Sequence, residues 1–174
     1  MCGFVGYINE PGVSKSAIKE MADRIYHRGP DDEGFFQDEF VSMGFRRLSI
    51  IDLDHGRQPL SNQEETLILT FNGEIYNYQS LRKELQELGY VFQTEVDSEV
   101  LVHGYAAWGT ELLQKIRGMF AFVIYDRKAQ KLFGARDHFG IKPMYYYKKD
   151  HTFLWGSEIK AFYGHPNFKP VLNE

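Results

Sequence analysis

Met119-Phe120-Ala121-Phe122-Val123-Ile124-Tyr125 is apolar at every position, on both of the faces that alternate along an extended chain. A strand of that kind has to be covered on both sides. Residues 67–71 have the same character apart from Thr70, and they run into Asn72-Gly73, where a polar turn is expected to end the strand. After Tyr125 the chain reads as further strands in quick succession, at 132–135, 144–147 and 153–155. Their connections are too short for helical crossovers, so they should pair antiparallel.

Upstream, residues 2–8 read as a first strand. Ser14 opens a helical pattern in which Ile18, Met21, Ala22 and Ile25 recur at spacings of three and four. His27-Arg28-Gly29-Pro30-Asp31 breaks that pattern, and strand-like segments follow at 34–37 and 40–48. Asn77 is placed to cap a second helix carrying Leu81, Leu85 and Leu88, with Gly89 as its left-handed C-terminal residue. A third helix begins at Asp97 or Ser98, carries Val100, Leu101 and Tyr105, and ends near Trp108-Gly109. Antiparallel strands buried on both faces, together with three amphipathic helices, predict two sheets packed together with helices outside. A mixed α/β sheet flanked by helices would show similar runs.

The 174 residues suit one domain, here residues 1–174, without repeats or Pro/Gly/Ser linkers. A net charge of −4 with scattered basic residues gives no footprint for nucleic acid. Cys2 is the only cysteine, which excludes an internal disulfide and a cysteine-rich zinc site. The six histidines show no metal-ligand spacing and read as surface or loop residues, so no metal is expected. Neither a membrane span nor a signal peptide is apparent, and a cytoplasmic protein is expected. No phosphate-cradling glycine loop occurs.

Cys2 says most about chemistry. A small residue at position 2 permits removal of Met1, which leaves a thiol and a free α-amine on one residue. In model compounds these titrate at roughly 8.5 and 7.7–8.0, so the amine can accept the thiol's proton near neutral pH. The competing reading is a buried structural cysteine at the start of a strand. Asn72 and Gly73 could supply a carboxamide and a backbone N–H to a developing oxyanion, or they could simply form the turn. Arg46 and Arg47, ending an apolar strand, could grip a carboxylate, or be a solvated strand end. Asp97 could hold an ammonium group or cap the helix that follows. Arg136-Asp137 before Gly140-Ile141-Lys142-Pro143 reads as a structured turn, in which Lys142 could contact an anion.

Taken in order, Met1-Cys2-Gly3, His27-Arg28-Gly29-Pro30-Asp31, Arg47-Leu48-Ser49-Ile50-Ile51-Asp52, Gln58-Pro59-Leu60, Asn72-Gly73-Glu74-Ile75-Tyr76-Asn77, Asp97-Ser98-Glu99, Gly118-Met119-Phe120-Ala121-Phe122 and Arg136-Asp137 resemble the class II glutamine amidotransferases. The likeness is greatest to the N-terminal glutaminase domain of glutamine-hydrolysing asparagine synthetases. It implies an α+β fold, the four-layer αββα sandwich of N-terminal-nucleophile hydrolases. It further implies hydrolysis of the glutamine side-chain amide to glutamate and ammonia through a Cys2 thioester, with the α-amine of Cys2 as proton shuttle. By the same resemblance Asn72 and Gly73 form the oxyanion hole. Arg47 with Leu48, Ser49, Ile50 and Ile51 takes the substrate carboxylate, and Glu74 and Asp97 take its ammonium end. Arg28 carries no assigned role.

The expected partners are L-glutamine and an ATP-dependent synthetase domain that receives the ammonia. ATP and magnesium would belong to that domain, whose SGGxDS loop does not occur in this chain. The alternatives are an amidotransferase domain for a sugar or peptide carboxylate, or a non-catalytic glutamine-binding regulatory domain.

Overall fold

The computed structural model of the chain describes residues 1–48 and 57–171. Two compact units are present, Met1–Leu48 together with Met144–Glu174, and Ser49–Pro143.

The first unit holds a five-stranded sheet in the order β2-β3-β1-β9-β8, made of β1 (Gly3–Ile8), β2 (Asp32–Gln37), β3 (Val41–Arg47), β8 (Tyr145–Lys149) and β9 (Thr152–Gly156). All its pairings are antiparallel. β1 lies in the middle and buries its first five residues. One helix, α1 (Ala17–Asp23), packs Ile18, Met21 and Ala22 with Val5, Tyr7, Leu154 and Phe162. It starts at Ala17 and not at Ser14, because the Ser14 hydroxyl is taken up locally by the Ser16 N–H and the Ser16 hydroxyl.

The second unit holds a four-stranded sheet in the order β4-β5-β6-β7, with β4 (Leu60–Ser61), β5 (Leu67–Ile75), β6 (Gly118–Asp126) and β7 (Lys131–Arg136), again antiparallel throughout. From β6, Phe120, Phe122 and Ile124 enter a core with Leu69 and Phe71 of β5, Leu81 and Leu85 of α2 (Tyr78–Glu87), Leu101 of α3 (Glu99–Trp108), and Leu112 of the short α4 (Leu112–Lys115). Two antiparallel sheets with helices against them make the chain α+β, which is the class the apolar runs implied.

Five details differ from the sequence reading. β5 does not end in a turn at Asn72-Gly73: it continues through both residues to Ile75, paired to β6 at every position. Asn77 holds the N-cap position of α2 as expected, but its side chain makes no capping bond, since its carboxamide instead bridges the Lys115 carbonyl and the Arg117 N–H. Leu88 is exposed, just past the α2 face that buries Leu81 and Leu85. Gly89 behaves as expected, with φ +93°. The N–H groups of Gly89 and Tyr90 return to the Gln86 and Leu85 carbonyls. Finally, His103 and His165 are buried rather than on the surface. His103 lies against the Glu99 carboxylate and the Phe92 ring, and His165 lies edge-on to Tyr7.

The turn after β7 is as structured as expected. The Asp137 carboxylate accepts the N–H groups of Phe120, Phe139, Ile141 and Lys142. These bonds hold its pKa below the usual carboxylate range although burial works to raise it. Lys142 itself is buried.

Candidate active site

Of the residues named from the sequence, Cys2, Arg47 and Leu48 belong to the first unit, and Asn72, Gly73, Glu74 and Asp97 to the second. Ser49, Ile50 and Ile51 lie outside the described residues.

Cys2 is half-buried and sits one residue ahead of the β1 ladder, which begins at Gly3 opposite Arg46. The Leu48 N–H donates to Cys2 Sγ at 3.4 Å, and Sγ lies 3.8 Å from the Leu48 carbonyl. Leu48 is brought there by β3, and the end of β3 is fixed by the His27–Asp31 motif. Pro30 bridges to Arg47, and the Asp31 N–H donates to the Arg47 carbonyl at 3.1 Å. Gly29 is required where this segment crosses β3, because a Cβ there would lie 2.5 Å from Arg47 backbone atoms.

The two neighbouring arginines have different settings. Arg46 is 5% exposed, ion-paired with Asp23 and Glu33, and donates to the Ala22 carbonyl. It is committed to the interior of its unit and is removed as a candidate for substrate. Arg47 is half-buried at the strand end.

Arg28, which carried no assigned role, donates from Nε to the Cys2 carbonyl at 3.0 Å and from Nη1 to Glu158 at 3.0 Å. Glu158 also meets His27 at 2.8 Å and Lys160 at 3.3 Å. Burial would raise its pKa, but the bonds from Arg28, His27 and Lys160 outweigh that and bring it to about 2. No motif in the sequence pointed to Glu158.

In the second unit the hydrogen-bond parity of β5 exposes a specific amide. The N–H and C=O of Phe120 both turn to Asp137, at 3.2 and 2.8 Å. Gly73, the partner of Phe120, therefore occupies a non-hydrogen-bonded position on β6 and directs its own N–H and C=O to the other edge of β5. Along that edge Leu69 pairs with β4, Phe71 gives its N–H and C=O to the Gln58 carboxamide at 2.6 and 3.0 Å, and the Ile75 N–H donates to Asp97 at 2.7 Å. Among the described residues, no acceptor meets Gly73 N–H. The neighbouring Asn72 is 4% exposed, and its Nδ2 is buried without a hydrogen-bond partner among the described residues. Two adjacent residues thus keep donors in reserve, against the rule that buried donors are paired.

Asp97 is not the capping residue of α3, a position that Ser98 holds, and its carboxylate instead fixes the end of β5. Burial raises its pKa, the Ile75 N–H opposes this, and the charge of Glu74 raises it further. A cation placed against Glu74 and Asp97 would relieve both effects. Glu99 supports the same region by accepting from Gln93 N–H, Thr94 N–H and the Thr94 hydroxyl, at 2.8, 2.8 and 2.6 Å. Among the described residues, no group of three or more His, Cys, Asp or Glu could hold a metal ion. No helix there is long and apolar enough to cross a membrane.

The family model described as a glutamine amidotransferase domain matches residues 1–174. An asparagine synthetase (glutamine-hydrolyzing) of Bacillus subtilis strain 168 is 50% identical over 166 residues, covering 92% of this chain and 26% of that protein. The protein of that description from Zea mays is 39% identical over 165 residues, covering 92% and 28%. The chain therefore spans about a quarter of the length of these relatives. Among solved structures, the glutamine phosphoribosylpyrophosphate amidotransferase of B. subtilis, complexed with ADP and GMP, is similar in fold. Its TM-score is 0.77 at 22% identity, over 94% of this chain and 44% of that one. A motif order that runs from Cys2 to Asp137 and a family match along the whole length lead to one conclusion: the chain belongs to the glutamine amidotransferase domain family.

Proposed function

We propose that the chain hydrolyses the side-chain amide of L-glutamine and supplies the ammonia to an ATP-dependent, asparagine-synthetase-type acceptor domain. The observation that carries this reading is the Cys2 thiol, second in the chain and hydrogen-bonded by the Leu48 N–H, in a domain of this family.

With Met1 removed, the α-amine of Cys2 takes the thiol proton and Sγ attacks the amide carbon. The carbonyl π-electrons move to oxygen, where the Asn72 carboxamide and the Gly73 N–H are the donors in reserve. As the C–N bond breaks, the α-ammonium returns its proton to the departing nitrogen, giving ammonia and a thioester. Water then cleaves the C–S bond to release glutamate and restore the thiol. Arg47, with Leu48 and residues 49–51, is assigned the substrate carboxylate. Glu74 and Asp97 are assigned its ammonium group, since the burial of Asp97 and the neighbouring charge of Glu74 both favour a cationic partner there. The acceptor reading is supported by the names and greater length of the relatives.

The test is Cys2→Ala. Glutamate release should vanish, and an electrophilic glutamine analogue should label wild-type Cys2 and nothing in the variant. Release that persists in the variant would overturn the proposal.

A further inference from the structure

The mechanism asks a great deal of a residue that the sheet does not hold. Cys2 precedes the first paired residue of β1, and once Met1 is gone its backbone joins the fold through its carbonyl side alone, with the Leu48 N–H on Sγ as its side-chain contact. Its carbonyl oxygen is the nearest atom through which the protein can fix both the sulfur and the α-amine. The group that takes that oxygen is Arg28 Nε, at 3.0 Å.

Room for this contact is built into the chain. A Cβ on Gly3 would stand 2.8 Å from Arg28 Cδ and 3.0 Å from Nε, so the side chain lies across the space that glycine leaves open. On a planar guanidinium the Nε–H and one N–H of Nη2 point the same way. That fork faces Cys2, its Nη2 is buried without a hydrogen-bond partner among the described residues, and Nη1 is turned to Glu158.

Glu158 has three basic neighbours, and burial separates them. The side chains of His27 and Lys160 are each 51% exposed, whereas that of Arg28 is 9% exposed. Exposed pairs are screened by solvent and contribute little, while an arginine in the interior depends on its carboxylate. Arg28 reaches Cys2 as a buried cation, and the described residues give it one anionic partner, Glu158.

We propose that Glu158 is a positioning residue for the nucleophile, acting through Arg28: the carboxylate fixes the guanidinium, and the guanidinium fixes the Cys2 carbonyl. The inference rests on the reading of Cys2 as nucleophile and extends it to a residue 156 positions away in the chain, beyond all the catalytic motifs.

The experiment uses the protein freed of Met1, with glutamate release expressed per Cys2 labelled by the electrophilic analogue, so that misfolded molecules do not count. Glu158→Gln should lower turnover per labelled site by ~10- to 100-fold, the scale of a misplacement near 1 Å, with KM for glutamine within about two-fold. Glu158→Asp, which keeps the charge, should recover most of the loss. Should Glu158→Gln fail to fold, Gly3→Ala displaces Arg28 while keeping the Glu158 carboxylate and should show the same split between kcat and KM. Unchanged turnover per labelled site in these variants, or loss of labelling and turnover in equal proportion, overturns the inference. Cys2→Ala separates the two levels: if it still releases glutamate, the underlying reading fails, and if it is silent while Glu158→Gln matches wild type, only the role of Glu158 fails.

Discussion

The Met119 carbonyl oxygen and the Phe120 Cα occupy the position that a Cβ on Gly73 would need. β5 and β6 come together at a point that excludes any side chain, and the same strand position turns the Gly73 N–H to the open edge of β5. Gly118, opposite Ile75, is closed in the same way by the Glu74 carbonyl. Gly73→Ala must push β5 from β6, and overpacking of this kind costs about 1–3 kcal/mol. Thermal unfolding should fall by several degrees, and glutamate release should be lost even below the new midpoint. An alanine variant with wild-type melting and turnover would contradict the close approach.

Asn72 should show the opposite balance. Among the described residues its Nδ2 is buried and unpartnered, so the fold gains nothing there from that donor, whereas an oxyanion would. Asn72→Ala is expected to change unfolding free energy by less than about 1 kcal/mol while lowering kcat by ~10²- to 10³-fold. Denaturant unfolding and steady-state kinetics on the same preparation measure both. A large loss of stability with proportionate loss of activity would make Asn72 a structural residue.

The two positions illustrate how much the sequence could say. The apolar run 119–125 announced a strand because every residue carried the same message. At Asn72-Gly73 the local turn preference is overridden by nine consecutive pairings between β5 and β6, which no local rule can see. Cys2, Gly3 and the His27–Asp31 motif were visible, yet the reason for Gly3 and Gly29 needed the chain crossing at Arg28 and at β3. Glu158 was illegible because its partner Arg28 stands 130 residues earlier. His103 follows Glu99 by one helical turn, a visible spacing, but nothing in the sequence told that both would be buried.

Glu99 gives the stability of the second unit a pH dependence. Burial works to raise its pKa, but the bonds from His103, from the Thr94 hydroxyl and from the Gln93 and Thr94 N–H groups prevail and lower it from 4.5 to about 2. A carboxylate depressed on folding contributes stability that is fully present above the unfolded value of 4.5 and is lost as pH falls toward 2. At roughly 1.4 kcal/mol per pKa unit this amounts to a few kcal/mol. Glu99→Gln should therefore be less stable than wild type at pH 7, and the gap should narrow below pH 4.5. Chemical denaturation across that range measures it, and a gap independent of pH would remove Glu99 as its source. Because Glu99 holds the segment that leads to Asp97, KM for glutamine should also rise in this variant.

Met1 decides whether the amine of Cys2 can act at all. While Met1 is attached, that nitrogen is an amide and has no basic lone pair, so the thiol has no base on its own residue. Met1 is 59% exposed, and the small side chain that follows it suits an aminopeptidase. Loss of a positioned general base costs ~10²- to 10⁴-fold. The Met1-bearing form should accordingly release glutamate at least 10²-fold more slowly than the trimmed form, with intact-mass spectrometry identifying each. Treating the first form with aminopeptidase should restore the rate in step with the loss of one methionine mass. Equal turnover before and after treatment would show that the proton goes elsewhere and that the α-amine is not the base.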